Sequence, residues 1–273
     1  MSPVLRRPAR GLARGLARSF VLALALACSG AVHAGRACHE ASPPPAANVE
    51  RALDLALRTA QALEASQADL VVLARAGQDL RHYGLRWSHI GLAYRQDGRW
   101  LVLHKLNHCG QAQGDLYRQG LAEFFLDDLF EYRAAIVPLS APLQQALLPL
   151  LRDNARAAAL HEPAYSLVAY PWAQRYQQSN QWAIETLAMA ALGRQVDRQE
   201  AQAWLMVAGY RPTTLQLGPM VRLGARMTAA NVAFDDHPNH KRFADRIETT
   251  TADSVLDWLA GAPQLAGALR IVR

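Results

Sequence analysis

The dipeptide Asp97-Gly98, set between two alternating apolar stretches, constrains this chain more than any other pair of residues in it. Both central residues of a tight hairpin turn need positive φ, and Asp followed by Gly meets that need at low cost. The pattern predicts a β-hairpin over residues 88–109, SHIGLAYRQDGRWLVLHKLNHC. A two-residue turn sets Gln96 against Arg99, Tyr94 against Leu101, Leu92 against Leu103 and Gly91 against His104. Side chains alternate between faces, so His89, Gly91, Ala93, Val102 and His104 share one. The two histidines then sit on a diagonal, about 7 to 8 Å apart at the backbone, with the space above Gly91 open between them. They form either a candidate reaction site or a partly buried pair bonded to backbone groups.

The rest of the chain supplies helices to cover such a sheet. Residues 49–63 place Val49, Ala52, Leu53, Ala56, Ala60 and Leu63 at helical spacing. Residues 70–74 and 134–137 read as buried strands, the second stopped by Pro138, while 110–120 is turn-rich. Residues 142–159 predict a long Leu/Ala helix that Pro149 kinks or divides. Residues 165–170 predict a strand ended by Pro171. Ser179 or Asn180 is a suitable N-cap for a helix over 181–192 closed by Gly193. Asp197 with Glu200 opens another over 197–208, and shorter helices are expected over 218–230 and 251–259. Helices flanking a small antiparallel sheet make the expected fold α+β. The expected divisions are a signal peptide at 1–34, a leader and first helix at 35–68, a core at 69–195 and a helical extension at 196–273.

The first 34 residues are expected to leave before folding. Arg6, Arg7, Arg10, Arg14 and Arg18 precede the apolar run 20–28, and Val32, His33 and Ala34 resemble a cleavage site. Cleavage near Ala34 implies a periplasmic or secreted protein; the alternative is lipoprotein processing at Cys28. The run is too short for a permanent span, and no later stretch approaches about 20 apolar residues, so the mature protein is expected to lack a transmembrane segment. Of the 29 Lys and Arg, five precede Gly35, and none of the 23 acids do, which leaves 24 cations against 23 anions. The basic character belongs to the precursor and gives no argument for nucleic acid. Two cysteines, Cys38 and Cys109, remain after cleavage. In an oxidising compartment they are expected to form a disulfide, worth on the order of 3 to 5 kcal/mol; the alternative makes Cys109 a nucleophile beside His104.

Ser179 deepens the reading of the histidines. It stands one and two turns before Ala183 and Leu187, the stripe expected to face the sheet. Its hydroxyl would lie at a helix N-terminus, where developing negative charge is favoured, as a nucleophile beside a histidine base requires. The plain alternative is a helix cap contributing about 1 kcal/mol. Two sets of residues could hold a metal, His104 with His108 and the loop Asp235, Asp236, His237 and His240, and neither spacing is specific. No cofactor motif is present.

SHIGLAYR, WLVLHKLN and YQQSNQWAIETLAMA resemble the permuted members of the NlpC-type papain-like superfamily, which includes lecithin retinol acyltransferase and bacterial amidases and peptidases. The likeness spans roughly residues 70–192. It implies a permuted papain-like fold with His89 as base, His104 as its orienting partner and Ser179 as nucleophile, where the superfamily usually has Cys. More narrowly, the hairpin, LNHC, FFLDD and SNQW resemble an uncharacterised family of exported bacterial proteins over nearly the whole mature chain. The resemblance implies a vestigial or serine-based amidase, peptidase or acyltransferase acting on a cell-envelope substrate, or a non-catalytic protein binding an envelope peptide, glycan or lipid in the same cleft.

Overall fold

The computed structural model describes residues 44–127 and 129–273. Six antiparallel strands form the central sheet in the order β4-β3-β2-β1-β5-β8. These are β1 (Leu70–Ala76), β2 (His89–Gln96), β3 (Arg99–Asn107), β4 (Gly114–Gly120), β5 (Glu131–Pro138) and β8 (Arg270–Val272). The hairpin has the expected register, with Leu92 opposite Leu103, Tyr94 opposite Leu101 and Gln96 opposite Arg99. Asp97 and Gly98 have φ of 51° and 73°, the two positive values that a turn matched to strand twist demands.

Each face of the sheet buries a separate apolar layer. On one side lie α1 (Ala46–Ser66) and the short α2 (Leu121–Phe125), packed on Val71, Leu73, Ala93, Val102 and Ile136. The buried residues of α1, Ala52, Leu55, Ala56, Thr59 and Leu63, recur at helical spacing and make one stripe. On the other side α3 (Ala141–Arg152) brings Leu143, Leu147 and Leu151 onto the layer of Val72, Ile90, Leu92 and Leu103. There they meet α5 (Ser179–Leu192), whose residues from Ser179 to Ala190 are all buried. A helix hidden all round is central to its layer, and α6 (Arg198–Val207) and α9 (Ala252–Ala260) complete its surroundings.

Several expected boundaries move. Residues 114–120 form β4, because pairing with β3 supplies the backbone bonds that the turn-rich sequence does not advertise. Residues 165–170 form no strand; only Ala164 makes an isolated bridge, to Gln113. The long helix breaks at Asp153, whose side chain accepts from Ala155 and Arg156 and opens α4 (Asn154–Ala157). Pro149 sits within the last turn of α3 without dividing it there. Gln178, not Ser179 or Asn180, caps α5: its longer side chain accepts from the Asn180 N–H at 2.8 Å.

Residues 196–273 are more than a helical extension. Strands β6 (Thr213–Gln216) and β7 (Arg246–Thr249) form a ribbon, with α7 (Pro219–Thr228) and α8 (Asn239–Arg242) between them. Strand β8 returns to pair with β5 in the main sheet. Among the described residues, no helix is long and apolar enough to cross a membrane. Cys109 is disulfide-bonded; Cys38 and the expected signal peptide lie outside the described residues.

Candidate functional site

Strand alternation places His89 and His104 on the face covered by α1 and α2, and both are buried. His89 Nε2 lies 2.8 Å from His104 Nδ1. His104 Nε2 lies 2.7 Å from Gln119 Oε1, and the Gln119 amide donates to the exposed Glu123 carboxylate at 3.2 Å. That orientation of Gln119 fixes the protons. Its oxygen accepts the His104 Nε2–H, so Nδ1 of His104 is the acceptor and Nε2 of His89 the donor. What remains is Nδ1 of His89, an acceptor with no hydrogen bond among the described residues. The chain Glu123, Gln119, His104, His89 therefore presents one oriented, neutral imidazole.

The surroundings hold it neutral. Phe124 of α2 lies 5.2 Å from the His104 ring and 6.0 Å from that of His89. Arg75 faces His89 across the β1–β2 pair, stacks 4.7 Å over Phe124, and donates to the Phe124 carbonyl and to Asp127. Burial, and then the Arg75 charge, push the pKa of His89 well below the usual histidine range. The same two causes bring His104 down to about 4, against the opposing pull of Gln119 and Asp127.

Gly91 does not leave the open space expected between the histidines. A Cβ there would come within 2.5 Å of Val102 Cγ1 and 3.2 Å of His104 Cβ. The absent side chain lets the partner strand's groups close over it, which is what brings the imidazoles into contact.

Ser179 belongs to the other layer. It is buried at the first position of α5, and its hydroxyl lies 3.2 Å from the Tyr165 hydroxyl. No hydrogen bond joins it to His89 or His104. The nearest link between α5 and the strand start is made by Asn180, whose side chain accepts from the Ile90 N–H at 3.0 Å. The expected alignment of Ser179 with the histidines fails because its helix packs on the face that Ile90 and Leu92 present, while His89 points to the opposite one.

A second polar centre lies beneath α5, and sequence reasoning missed it. Lys105, next to His104 and so on the opposite face, is fully buried and donates to Glu162 O, to Gln177 O at 2.8 Å and to Gln177 Oε1 at 3.0 Å. Three acceptors match the three donors of an ammonium. Burial first, and the Arg198 charge second, lower Lys105 to about 7, with Glu185, Glu162 and Asp115 opposing. Gln177 also donates to Glu185 at 2.6 Å, and Arg198 binds both oxygens of that buried carboxylate, at 2.9 and 3.2 Å. The signal was available: a lysine beside an inward histidine on a strand covered on both faces must also be inward. Gln119 and Arg75 carried no such signal, since β4 did not read as a strand and Arg75 ends an apolar run.

Several of the other candidates have partners within the protein. His108 bonds to Asp115 at 2.8 Å. His237 lies between Asp236, at 2.9 Å, and the Glu248 carbonyl, at 2.9 Å, while Asp235 pairs with Arg175. Among the described residues no group of three or more His, Cys, Asp or Glu is placed to hold a metal.

Residues 62–259 match the model of a family described as uncharacterized protein conserved in bacteria (DUF2145). No curated protein matches the chain. Among solved structures, the chain is similar to the metalloprotein yiiX from Escherichia coli O157:H7 (DUF1105), at 14% identity and a TM-score of 0.40, covering 76% of this chain and 96% of that one.

Proposed function

The chain belongs to that bacterial DUF2145 family, and from this premise we propose that it is an exported envelope domain, papain-like in ancestry, that binds an envelope peptide, glycan or lipid at the His89 site without cleaving it. One observation carries the reading: the imidazole is oriented and has a vacant acceptor, but the Ser179 hydroxyl is engaged with Tyr165 and not with either histidine. An oriented neutral imidazole accepts a hydrogen bond from a ligand N–H or O–H. Among the described residues no hydroxyl or thiol is hydrogen-bonded to it, so none is held there for activation as a nucleophile. Export rests on the basic and apolar composition of the first 34 residues.

A second reading, a serine-based amidase, peptidase or acyltransferase, draws support from the same relay. A base held by one ring nitrogen and open at the other is what such chemistry requires. One experiment separates the two: incubate the mature protein with peptidoglycan sacculi and with envelope phospholipid, then measure retention and analyse products by mass spectrometry. Binding without products, lost in His89→Ala, is expected. Products that disappear in Ser179→Ala would establish the hydrolase, and retention unchanged in His89→Ala would remove the site from both readings.

The thiol probe sharpens this. In Ser179→Cys the alkylation rate should follow a thiol titrating no lower than about 8.5, with or without His89→Ala. A depressed, His89-dependent value would mean that serine and histidine do meet.

A further inference from the structure

Helix α7 carries its apolar stripe outward. Met220, Leu223 and Met227 recur at intervals of three and four residues, and are 78%, 53% and 78% exposed; none of the helix is buried. Its inner side is held by Ala225, which packs on the cluster of Phe234 and Ile247, and by Arg222, which donates to the Leu217 carbonyl and pairs with Asp245 at 2.7 Å. Ordinary amphipathic helices bury the apolar side and solvate the charged one; α7 does the reverse.

Basic groups border the stripe. Residues 219–228 contain Arg222 and Arg226 and no acid. Beside them a groove is lined by Arg222, Leu223, Arg226, Phe234, Arg242 and Phe243, three arginines and three apolar residues, with Phe243 72% exposed. Arg226 and Arg246 are exposed and enter no ion pair among the described residues. An outward stripe of Met and Leu about 10 Å long, with the exposed Arg226 beside it and two further arginines lining the adjoining groove, is the pattern of a helix lying in the headgroup layer of an anionic membrane. We propose that the α7–α8 face docks this protein on an anionic phospholipid surface. Charge complementarity selects that occupant: a second copy would bring the exposed arginines of the two chains together, whereas lipid phosphates would pair with Arg226 and Arg246, which have no ion pair among the described residues.

The test is vesicle flotation of the full mature chain, with vesicles of phosphatidylglycerol and phosphatidylcholine at about 3:7 against phosphatidylcholine alone. Binding is expected only to the anionic vesicles and should weaken strongly between low and high salt. Leu223→Asp with Met227→Asp should lower the bound fraction about tenfold or more, and Arg226→Glu about tenfold. Both sets lie on the surface, so circular dichroism and Tm should stay as in the parent. Absence of binding, equal binding to neutral vesicles, or binding unchanged in both variants would overturn the proposal. So would a dimer in sedimentation that Leu223→Asp with Met227→Asp dissociates, since the stripe would then be covered by a second copy.

Discussion

His104 and Lys105 are neighbours on one strand, yet they carry polarity into opposite layers of the sheet, and the polar networks around them differ. The histidine gives up its charge and joins a neutral hydrogen-bonded chain that ends at the surface on Glu123. The lysine sits beside a network that keeps charges of both signs, with Glu185 and Arg198 paired at 2.9 Å and glutamines filling the remaining positions. The difference follows from the chemistry of each group. Imidazole loses a proton at little cost near neutral pH, whereas guanidinium does not lose one at all and must be given an anion. One layer thus holds an imidazole nitrogen with no hydrogen bond among the described residues, and the other a densely bonded polar network.

That contrast breaks first at Glu185. Glu185→Leu leaves Arg198 buried without its anion, and should cost about 3 to 5 kcal/mol in denaturant unfolding with the m value unchanged. The equivalent substitution in the other layer, His104→Leu, removes no charge and should cost about 1 to 3 kcal/mol. Equal costs would mean that the two layers are held alike.

Acid should weaken the histidine layer first. The folded pKa of His104 is lowered to about 4 from 6.5, so the unfolded chain takes up a proton that the folded one refuses. Stability from this group is fully present above pH 6.5 and falls as pH drops toward 4, by about 3 kcal/mol in all. His89, lowered for the same reasons, adds to the fall. The slope should shrink in His104→Leu and persist in Lys105→Met, measured as denaturation midpoints across pH 4 to 7.

The smaller effects concern single contacts. Gly91→Ala forces a methyl against Val102 and His104, and should cost about 1 to 3 kcal/mol while shifting the imidazole resonances of both histidines in NMR spectra. Ser179→Ala loses only the hydroxyl contact with Tyr165 and should cost about 1 kcal/mol, as should Tyr165→Phe, the double variant costing little more than either. A Ser179→Ala cost that instead coupled to His89→Ala would join the two layers into one site.

Much of this is written in the chain locally. Hairpin register follows from Asp97-Gly98 and the alternation around it, and that register alone puts His89, Gly91 and His104 on one face. Helix ends at Gly193 and Asp197 follow from residues that prefer those positions, and both appear where expected: Gly193 has φ of 66°, and Asp197 accepts from Glu200 at 2.8 Å. These features are legible because turns and caps depend on neighbours in sequence.

What needed the tertiary structure is whatever depends on partners far along the chain. Strand β4 exists because β3 offers it an edge, and with it comes Gln119, which sets the tautomer of His104. Gln178 outcompetes Ser179 as cap while its own amide reaches the Thr250 carbonyl, 72 residues away. The side of the sheet on which α5 lies cannot be read from a helix that is apolar all round, because its periodicity points nowhere in particular. The sequence by itself determined that two histidines share a face and that a serine opens a later helix. Only packing decided that they stand in different layers, because a strand's own alternation orients its side chains, whereas the layer a helix joins is chosen by everything else that must be buried with it.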